Sequence, residues 1–170
     1  MQPYWVPVLR DAALPVVTVA GFPFGVVPQM TKASAAARAV EAGASEIDMV
    51  VNLGALKSGD LHAVSEDVAA VRAAIPGKIL KVILETGLLE PTELETAARI
   101  CVDSGADFLK TSTGFGPRGA SVEDVVTLAR FGRVKASAGI RTFAQAAALI
   151  EAGAERLGAS ATAAILGIET

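Results

Sequence analysis

The sequence predicts an α/β fold in which parallel strands alternate with helices, built as a TIM (β/α) barrel. The first observation is a recurring unit in which an acidic residue precedes a glycine and an apolar strand follows, as in EAGASEID, DSGADFLK and EAGAERLG. A glycine that ends a helix can adopt positive φ, so each unit predicts a helix end followed by a strand. No hairpin signal separates the strands, which favours a parallel sheet.

The segments that follow the strands decide between a barrel and a doubly wound sheet. Polar and glycine-rich residues come after nearly every strand, in GFPFG, NLGALKSGD, ETGLLEPTE, TSTGFGPRGAS, AGIRT and GASAT. A doubly wound sheet concentrates its site at one switch point, whereas a barrel draws on all its strands. No G-x-G-x-x-G opens a helix, and the barrel is therefore favoured.

Each element follows from local signals. Helix starts are indicated by Thr31 before an alanine-rich run, by the capping-box spacings Thr92–Glu95 and Thr142–Gln145, and by Ser121 before Asp124. The expected strands are Val16–Ala20, Glu46–Asn52, Ile79–Glu85, Phe108–Ser112, Val134–Ala138 and Arg156–Ser160. These represent about six of the eight βα units of a barrel.

Composition narrows the class of protein. With 170 residues, 52% of them hydrophobic, the chain predicts one core-rich domain over residues 1–170. A net charge of -3 and a pI near 5.2 argue against nucleic acid as a partner. No targeting segment and no apolar run of about 18 residues is present, so a cytoplasmic protein with no membrane partner is expected. The single cysteine, Cys101, lies in an apolar register and predicts a buried structural thiol.

Ionisable side chains occur inside four consecutive strands. Strand alternation sets Asp48 opposite Ile47 and Met49, and sets Lys135 opposite its apolar neighbours. Lys110 lies in the middle of its strand, and a further strand carries Lys81 and Glu85 on one face. A single lysine near a strand end commonly extends to solvent, and a single aspartate caps a turn. Four such strands in a row favour mutual pairing inside one barrel lumen.

Two lysines in one lumen imply a specific chemistry. Partial desolvation and a neighbouring cation both disfavour the charged form, so one amine should be a nucleophile near neutral pH. Such an amine forms a Schiff base with a carbonyl compound and makes or breaks carbon–carbon bonds without metal or cofactor. The only histidine, His62, lies in an amphipathic segment and is expected at the surface rather than as a metal ligand.

Five motifs resemble the successive strand motifs of the 2-deoxyribose-5-phosphate aldolase family: EIDMVVNLGALKSGD, LKVILETGLL, GADFLKTSTGFGPRGAS, VKASAGIRT and AGAERLGAS. The resemblance covers essentially the whole chain and implies a lyase with a TIM barrel. It implies that Lys110 is the Schiff-base lysine, that Lys135 is the second lysine that perturbs it, and that Asp48 is the carboxylate of a proton relay. The implied reaction is reversible cleavage of 2-deoxy-D-ribose 5-phosphate to D-glyceraldehyde 3-phosphate and acetaldehyde, in deoxyribose phosphate catabolism.

The phosphate group of such a substrate is expected at the loops after the last two strands, where backbone N–H groups and helix dipoles favour an anion. The alternative is that the glycines there only make tight turns. The expected substrate- and phosphate-binding residues are Gly114, Gly139, Ile140, Arg141, Gly158, Ala159 and Ser160, with supporting polar residues Lys81, Glu85 and Thr111.

The chain departs from the family pattern at several positions, of which one bears on phosphate binding and one on the completeness of the barrel. Ala138 stands where relatives commonly have the first of two glycines, which predicts weaker phosphate binding. The segment QPYWVP follows the second strand in the family, so the barrel is expected to be truncated at its amino end.

Two alternatives stay open: an inactive, fragmentary barrel that acts as a scaffold, or another Schiff-base aldolase such as transaldolase. The resemblance also implies a homo-oligomer, a dimer.

Overall fold

The computed structural model describes residues 1–168, which form a single six-stranded parallel sheet with helices between successive strands. The strands are β1 (Val17–Ala20), β2 (Glu46–Val50), β3 (Ile79–Ile83), β4 (Phe108–Lys110), β5 (Val134–Ser137) and β6 (Ala154–Gly158). The helices are α1 (Gln29–Glu41), α2 (Leu53–Ser58), α3 (Leu61–Ala74), α4 (Pro91–Asp103), α5 (Val122–Ala129), α6 (Phe143–Glu151) and α7 (Thr162–Leu166). Short 3₁₀ helices cover Pro3–Leu9 and Thr86–Leu88.

The strands lie in the sheet in the order in which they occur in the chain, so each strand pairs with the next one. This arrangement is a half-barrel, and it confirms the predicted barrel class and six βα units. Since β1 and β6 lie at opposite ends of the order, each has one edge that pairs with no other strand of residues 1–168.

Most of the predicted strands extend one or two residues beyond the observed carboxyl ends. The backbone bonds continue for a short way, as in Leu84 N–H to Lys110 O at 2.9 Å and Thr86 N–H to Thr111 O at 3.0 Å. The predicted range for β6 is shifted by two residues. The observed strand begins immediately after Gly153, whose φ of 112° turns the chain directly from the end of α6 into the sheet.

Two helix starts also differ from the sequence prediction. Helix α4 begins at Pro91, where the Glu93 carboxylate accepts from Glu90 N–H at 2.8 Å, so the predicted Thr92–Glu95 box is wrong. Helix α1 begins at Gln29, directly after Pro28, and not after Thr31. The caps at Ser121 and Thr142 are confirmed, and both side chains accept from a backbone N–H three residues later.

The core lies between the sheet and its surrounding helices. It consists of aliphatic side chains from the strands, such as Ile47, Met49 and Leu80, packed against alanines and valines of the helices. Cys101 is fully buried in this core as a free thiol, and burial raises its pKa to about 12. The side chain of His62 is 83% exposed on α3, as predicted. None of the helices in residues 1–168 is both long and apolar enough to cross a membrane.

A buried ion pair joins α1 to α3. Lys32 is fully buried, donates to Val50 O at 2.9 Å and forms a short contact with Asp67, which is itself 2% exposed. Gly21 packs against this lysine, because a Cβ atom at that position would lie 2.7 Å from Lys32 Cε. The pair therefore fixes both helices to the carboxyl end of β2.

Candidate active site

Four adjacent strands, β2 to β5, place ionisable side chains next to one another on the same face of the sheet. Asp48 and Lys81 are register partners on β2 and β3, and Lys110 and Lys135 are register partners on β4 and β5. Residues in register on neighbouring parallel strands project to the same face of a sheet. The predicted grouping of these side chains therefore follows directly from the pairing of the strands.

Asp48 is the centre of this cluster. Its Oδ2 atom accepts hydrogen bonds from Lys110 Nζ and Lys135 Nζ, both at 2.8 Å, and its Oδ1 atom accepts from Lys81 Nζ at 2.8 Å. Asp48 is 2% exposed and Lys110 is 9% exposed, so the bonds are largely shielded from water. Lys81 also pairs with Glu46, which places it beneath the two other lysines.

The charges of the cluster determine its protonation. Burial opposes ionisation of Asp48, but the ammonium groups of Lys110, Lys135 and Lys81 outweigh it and hold the pKa of Asp48 well below its usual range. Burial lowers the pKa of Lys135, the charge of Lys110 lowers it further, and Asp48 opposes this shift. The cluster thus pairs a stable carboxylate with an amine that loses its proton more readily than an exposed lysine does.

Lys110 and Lys135 border a cavity of about 640 Å³ at the carboxyl ends of the last three strands. A cavity of this size can hold a small sugar phosphate. All seven residues that the sequence predicted for substrate or phosphate lie in its wall, namely Gly114, Gly139, Ile140, Arg141, Gly158, Ala159 and Ser160.

The loop after β5 offers fewer free amides than the sequence predicted. Ala138 N–H donates to Gly158 O at 3.4 Å, and Arg141 N–H donates to Gln145 Oε1 at 2.9 Å, so both are occupied. Among residues 1–168, the N–H groups of Gly139 and Ile140 have no protein acceptor. Helix α6 begins at Phe143, so these N–H groups lie in the loop before the helix and not in its first turn.

The three supporting polar residues have different environments. Lys81 belongs to the charge cluster. Thr111 is fully buried and bridges β4 to β5, where its Oγ1 donates to Ser137 O at 3.1 Å and accepts from Ser137 N–H at 3.0 Å. Thr111 is therefore outside the cavity wall, since alternation turns it away from Lys110. Glu85 is buried under the loop after β4, where Thr113 N–H donates to its Oε2 at 3.1 Å.

Sequence reasoning did not select several other residues that line the cavity. Ser112 and Ser137 each follow a cluster lysine by two residues, so strand alternation was a signal for both. Among the described residues the buried Ser112 Oγ has no hydrogen-bond partner, which leaves it available to a bound molecule. No comparable signal pointed to the remaining ones, which come from the long loop between β4 and α5: Thr113, Gly116, Arg118 and Gly119.

Metal binding has no candidate in this part of the chain. Within residues 1–168, no three His, Cys, Asp or Glu side chains lie close enough together to hold a metal ion.

Comparisons with known proteins agree with this geometry. The family model described as DeoC/LacD family aldolase matches residues 24–167. The chain is 51% identical over 157 residues to a deoxyribose-phosphate aldolase of Thermus thermophilus, covering 90% of this chain and 71% of that protein.

Solved structures show the same likeness. "QR15, an Aldolase" superposes with a TM-score of 0.94 at 40% identity, covering 98% of this chain and 78% of that one. The tetrameric deoxyribose phosphate aldolase of Aeropyrum pernix superposes with a TM-score of 0.87 at 31% identity, covering 98% and 74%.

Proposed function

Because this chain belongs to the DeoC/LacD family of aldolases, we propose that it is a class I aldolase acting on 2-deoxy-D-ribose 5-phosphate. The reaction is the reversible cleavage of this sugar to D-glyceraldehyde 3-phosphate and acetaldehyde, through a Schiff base on Lys110. The observation that carries the proposal is the shared hydrogen bonding of Lys110 and Lys135 to Asp48 Oδ2 at the wall of the cavity.

The proposed reaction begins at Lys110, since this lysine lies in the cavity wall between the other cluster residues and the polar loops. Its neutral amine adds to the C1 aldehyde of the open-chain sugar, and loss of water gives an iminium ion. A base removes the proton of the C3 hydroxyl, the C2–C3 bond breaks, and its electron pair moves to the iminium as an enamine. Glyceraldehyde 3-phosphate leaves, the enamine gains a proton at C2, and water releases acetaldehyde and free Lys110.

Asp48 and Lys135 are suited to the proton transfers of this sequence. Asp48 remains a carboxylate at neutral pH, because its pKa is held well below the usual range. Lys135 has a lowered pKa and a hydrogen bond to the same oxygen as Lys110. A proton released near Lys110 can therefore pass to Lys135 or to a water beside it, and return in the later steps.

The phosphate end of the substrate is proposed to lie at the cavity wall formed jointly by the loops after β4 and β5, which meet where a Cβ atom on Gly114 would lie 3.7 Å from Ala138 Cβ. The free N–H groups of Gly139 and Ile140 support this placement, since backbone amides bind anions without a large conformational cost. Arg141 lines the same wall and adds a positive charge.

We also propose that the chain forms a homodimer, as the sequence analysis inferred. The tetrameric deoxyribose phosphate aldolase of Aeropyrum pernix, to which this chain is similar, supports self-association. Light scattering should give twice the mass of one chain, and a single-chain mass at all concentrations would contradict it. The cytoplasmic location inferred from the sequence stays a prediction.

Acetaldehyde release from 2-deoxyribose 5-phosphate tests the proposed activity, and borohydride trapping with acetaldehyde tests the lysine. A two-carbon adduct is expected on Lys110 and should be lost in Lys110→Met but kept in Lys57→Met, whose lysine is at the surface. An adduct on Lys135 or Lys81 that persists in Lys110→Met would overturn the assignment. A folded protein that cleaves no deoxyribose phosphate and forms no adduct would instead be the inactive scaffold.

A further inference from the structure

The side chain of Glu85 lies directly beneath the loop that follows β4. Glu85 is 2% exposed and has a φ of 53° and a ψ of 59°, a left-handed conformation that is uncommon for residues other than glycine, asparagine and aspartate. Such a conformation is strained for a residue with a Cβ atom, and it persists where surrounding contacts over-determine it. The contacts of the carboxylate therefore indicate what this conformation is for.

The Glu85 carboxylate holds the loop at Thr113. Its Oε2 atom accepts from Thr113 N–H at 3.1 Å and forms a short hydrogen bond with the Thr113 hydroxyl. The same hydroxyl oxygen accepts from Phe115 N–H at 3.0 Å. A single carboxylate thus fixes the backbone direction of three consecutive residues, Thr113 to Phe115.

The loop also packs closely on this carboxylate. A Cβ atom on Gly116 would lie 2.5 Å from Glu85 Oε1, so only a glycine allows the present approach. Among residues 1–168, Oε1 has no hydrogen-bond partner, so the carboxylate is anchored to the loop through Oε2 alone. Loop and carboxylate are therefore mutually constrained.

A second attachment holds the other end of the same loop. Arg118 forms a bidentate pair with Asp124 and donates to Thr86 O at 3.3 Å, and Thr86 Oγ1 donates to Asp124 Oδ2 at 2.8 Å. Glu85 and Thr86 are adjacent in the chain, so one short segment after β3 fixes the loop at two points. Between those points lie Gly114 and Gly116, which line the cavity.

We propose that Glu85 is a positioning residue that sets the shape of the Thr113–Gly116 wall and so controls recognition of the phosphate end of the substrate. This inference rests on the proposed function. Glu85 does not line the cavity of Lys110 and Lys135, and it acts only through Thr113 and the loop backbone. Loss of its carboxylate should therefore affect binding of the phosphorylated substrate more than bond cleavage.

The test compares 2-deoxyribose 5-phosphate with unphosphorylated 2-deoxyribose in the cleavage assay. Glu85→Gln should raise KM for the phosphorylated sugar by about tenfold, the equivalent of one hydrogen bond to a charged group. Its kcat should stay within about twofold, and kcat/KM for 2-deoxyribose should be unchanged, because that sugar makes no use of the phosphate wall. Glu95→Gln, on the exposed face of α4, is the matched control and should match the wild type.

Thr113→Val provides an independent second variant, since it removes the hydroxyl and keeps the side-chain shape. It should raise KM in the same way, and the double variant should lose little more than either single one because both break the same link. Equal loss on both sugars, or fully additive losses, would overturn the inference.

Titration of wild type and Glu85→Gln with inorganic phosphate separates this inference from the proposed activity. A wild type that binds phosphate but cleaves neither sugar would refute the activity alone. Equal phosphate affinity in the two proteins would refute the role of Glu85, whatever the activity.

Discussion

Glu46 on β2 and Arg156 on β6 form a charged pair across the concave side of the sheet. Arg156 Nη1 donates to Oε1 and Oε2 of Glu46 at 2.9 and 2.7 Å, although the two residues are 110 positions apart. Three strands separate β2 from β6 in the sheet, so this contact requires strong curvature. Arg156 also lies over the Phe108 ring, 4.7 Å from its centroid.

Replacing Arg156 by Met should lower the free energy of unfolding by about 1–3 kcal/mol, because a buried carboxylate loses a partner. Burial disfavours the charged Glu46, whereas Arg156 and Lys81 outweigh it and lower its pKa. A lowered carboxylate pKa stabilises the fold above the unfolded pKa of about 4.3, and this contribution is lost as the pH falls. The difference from wild type in urea unfolding should therefore shrink below about pH 4.

Lys57→Met is the control for Arg156→Met, since Lys57 pairs with Glu93 at the surface. An exposed pair contributes about 0–1 kcal/mol, so the control should change stability little. Equal losses of unfolding free energy in both variants would mean that the Glu46–Arg156 pair stabilises the protein no more than an exposed surface pair does.

The sequence could predict what depends on short-range periodicity. Alternation along β4 and β5 put Lys110 and Lys135 on the lumen side, and the glycine after each helix located the following strand to within about two residues. Alternation along β2 likewise set Asp48 opposite its apolar neighbours, and the family motifs gave it the role of a proton-relay carboxylate. All three lie together, because parallel strands in register bring corresponding positions to one face.

Contacts set by curvature and loop geometry could not be predicted in this way. The pairs Glu46–Arg156 and Lys32–Asp67 join residues far apart in the chain, and no periodic pattern specifies their partners. Glu85 was selected as a polar residue on a strand, but its left-handed backbone and its bond to Thr113 appear only once the loop is placed.

Asp48→Asn should destabilise the protein by about 3–5 kcal/mol at pH 7, because the lysine ammonium groups lose their buried anion. In the wild type, the Asp48 contribution is fully present above about pH 4 and is lost below it, since its folded pKa is lowered. In the variant, stability should rise between pH 7 and pH 10 as Lys135, whose pKa is already lowered, releases its proton more easily in the folded state. Urea unfolding across this range measures both effects, and a variant whose stability falls with pH would contradict the account.

Lys135→Leu should reduce kcat/KM for 2-deoxyribose 5-phosphate by about 10²–10⁴, the usual contribution of a proton-transfer group. Because the pKa of Lys135 is lowered, its neutral fraction and hence the rate should increase as the pH rises through that pKa. This rise should vanish in Lys135→Leu, and also in Lys135→Arg, whose charge does not titrate. A pH profile identical to wild type in either variant would exclude Lys135 from the proton transfers.

Ala138 is the position at which this chain is expected to gain from substitution. Its φ of 72° is left-handed, and an L-residue with a Cβ atom in this conformation costs about 1–2 kcal/mol. Glycine removes this strain, but it also increases the conformational freedom of the unfolded chain, which cancels part of the gain in stability. Ala138→Gly should therefore leave the free energy of unfolding equal or raise it by up to about 1 kcal/mol.

Ala136→Gly is the matched control: Ala136 is fully buried inside β5, so removing its methyl group should destabilise the protein by about 1 kcal/mol or more. Thermal or urea unfolding of the two variants should thus give effects of opposite sign, or a clear loss for Ala136→Gly alone. If both variants lose stability equally, the left-handed conformation of Ala138 carries no strain.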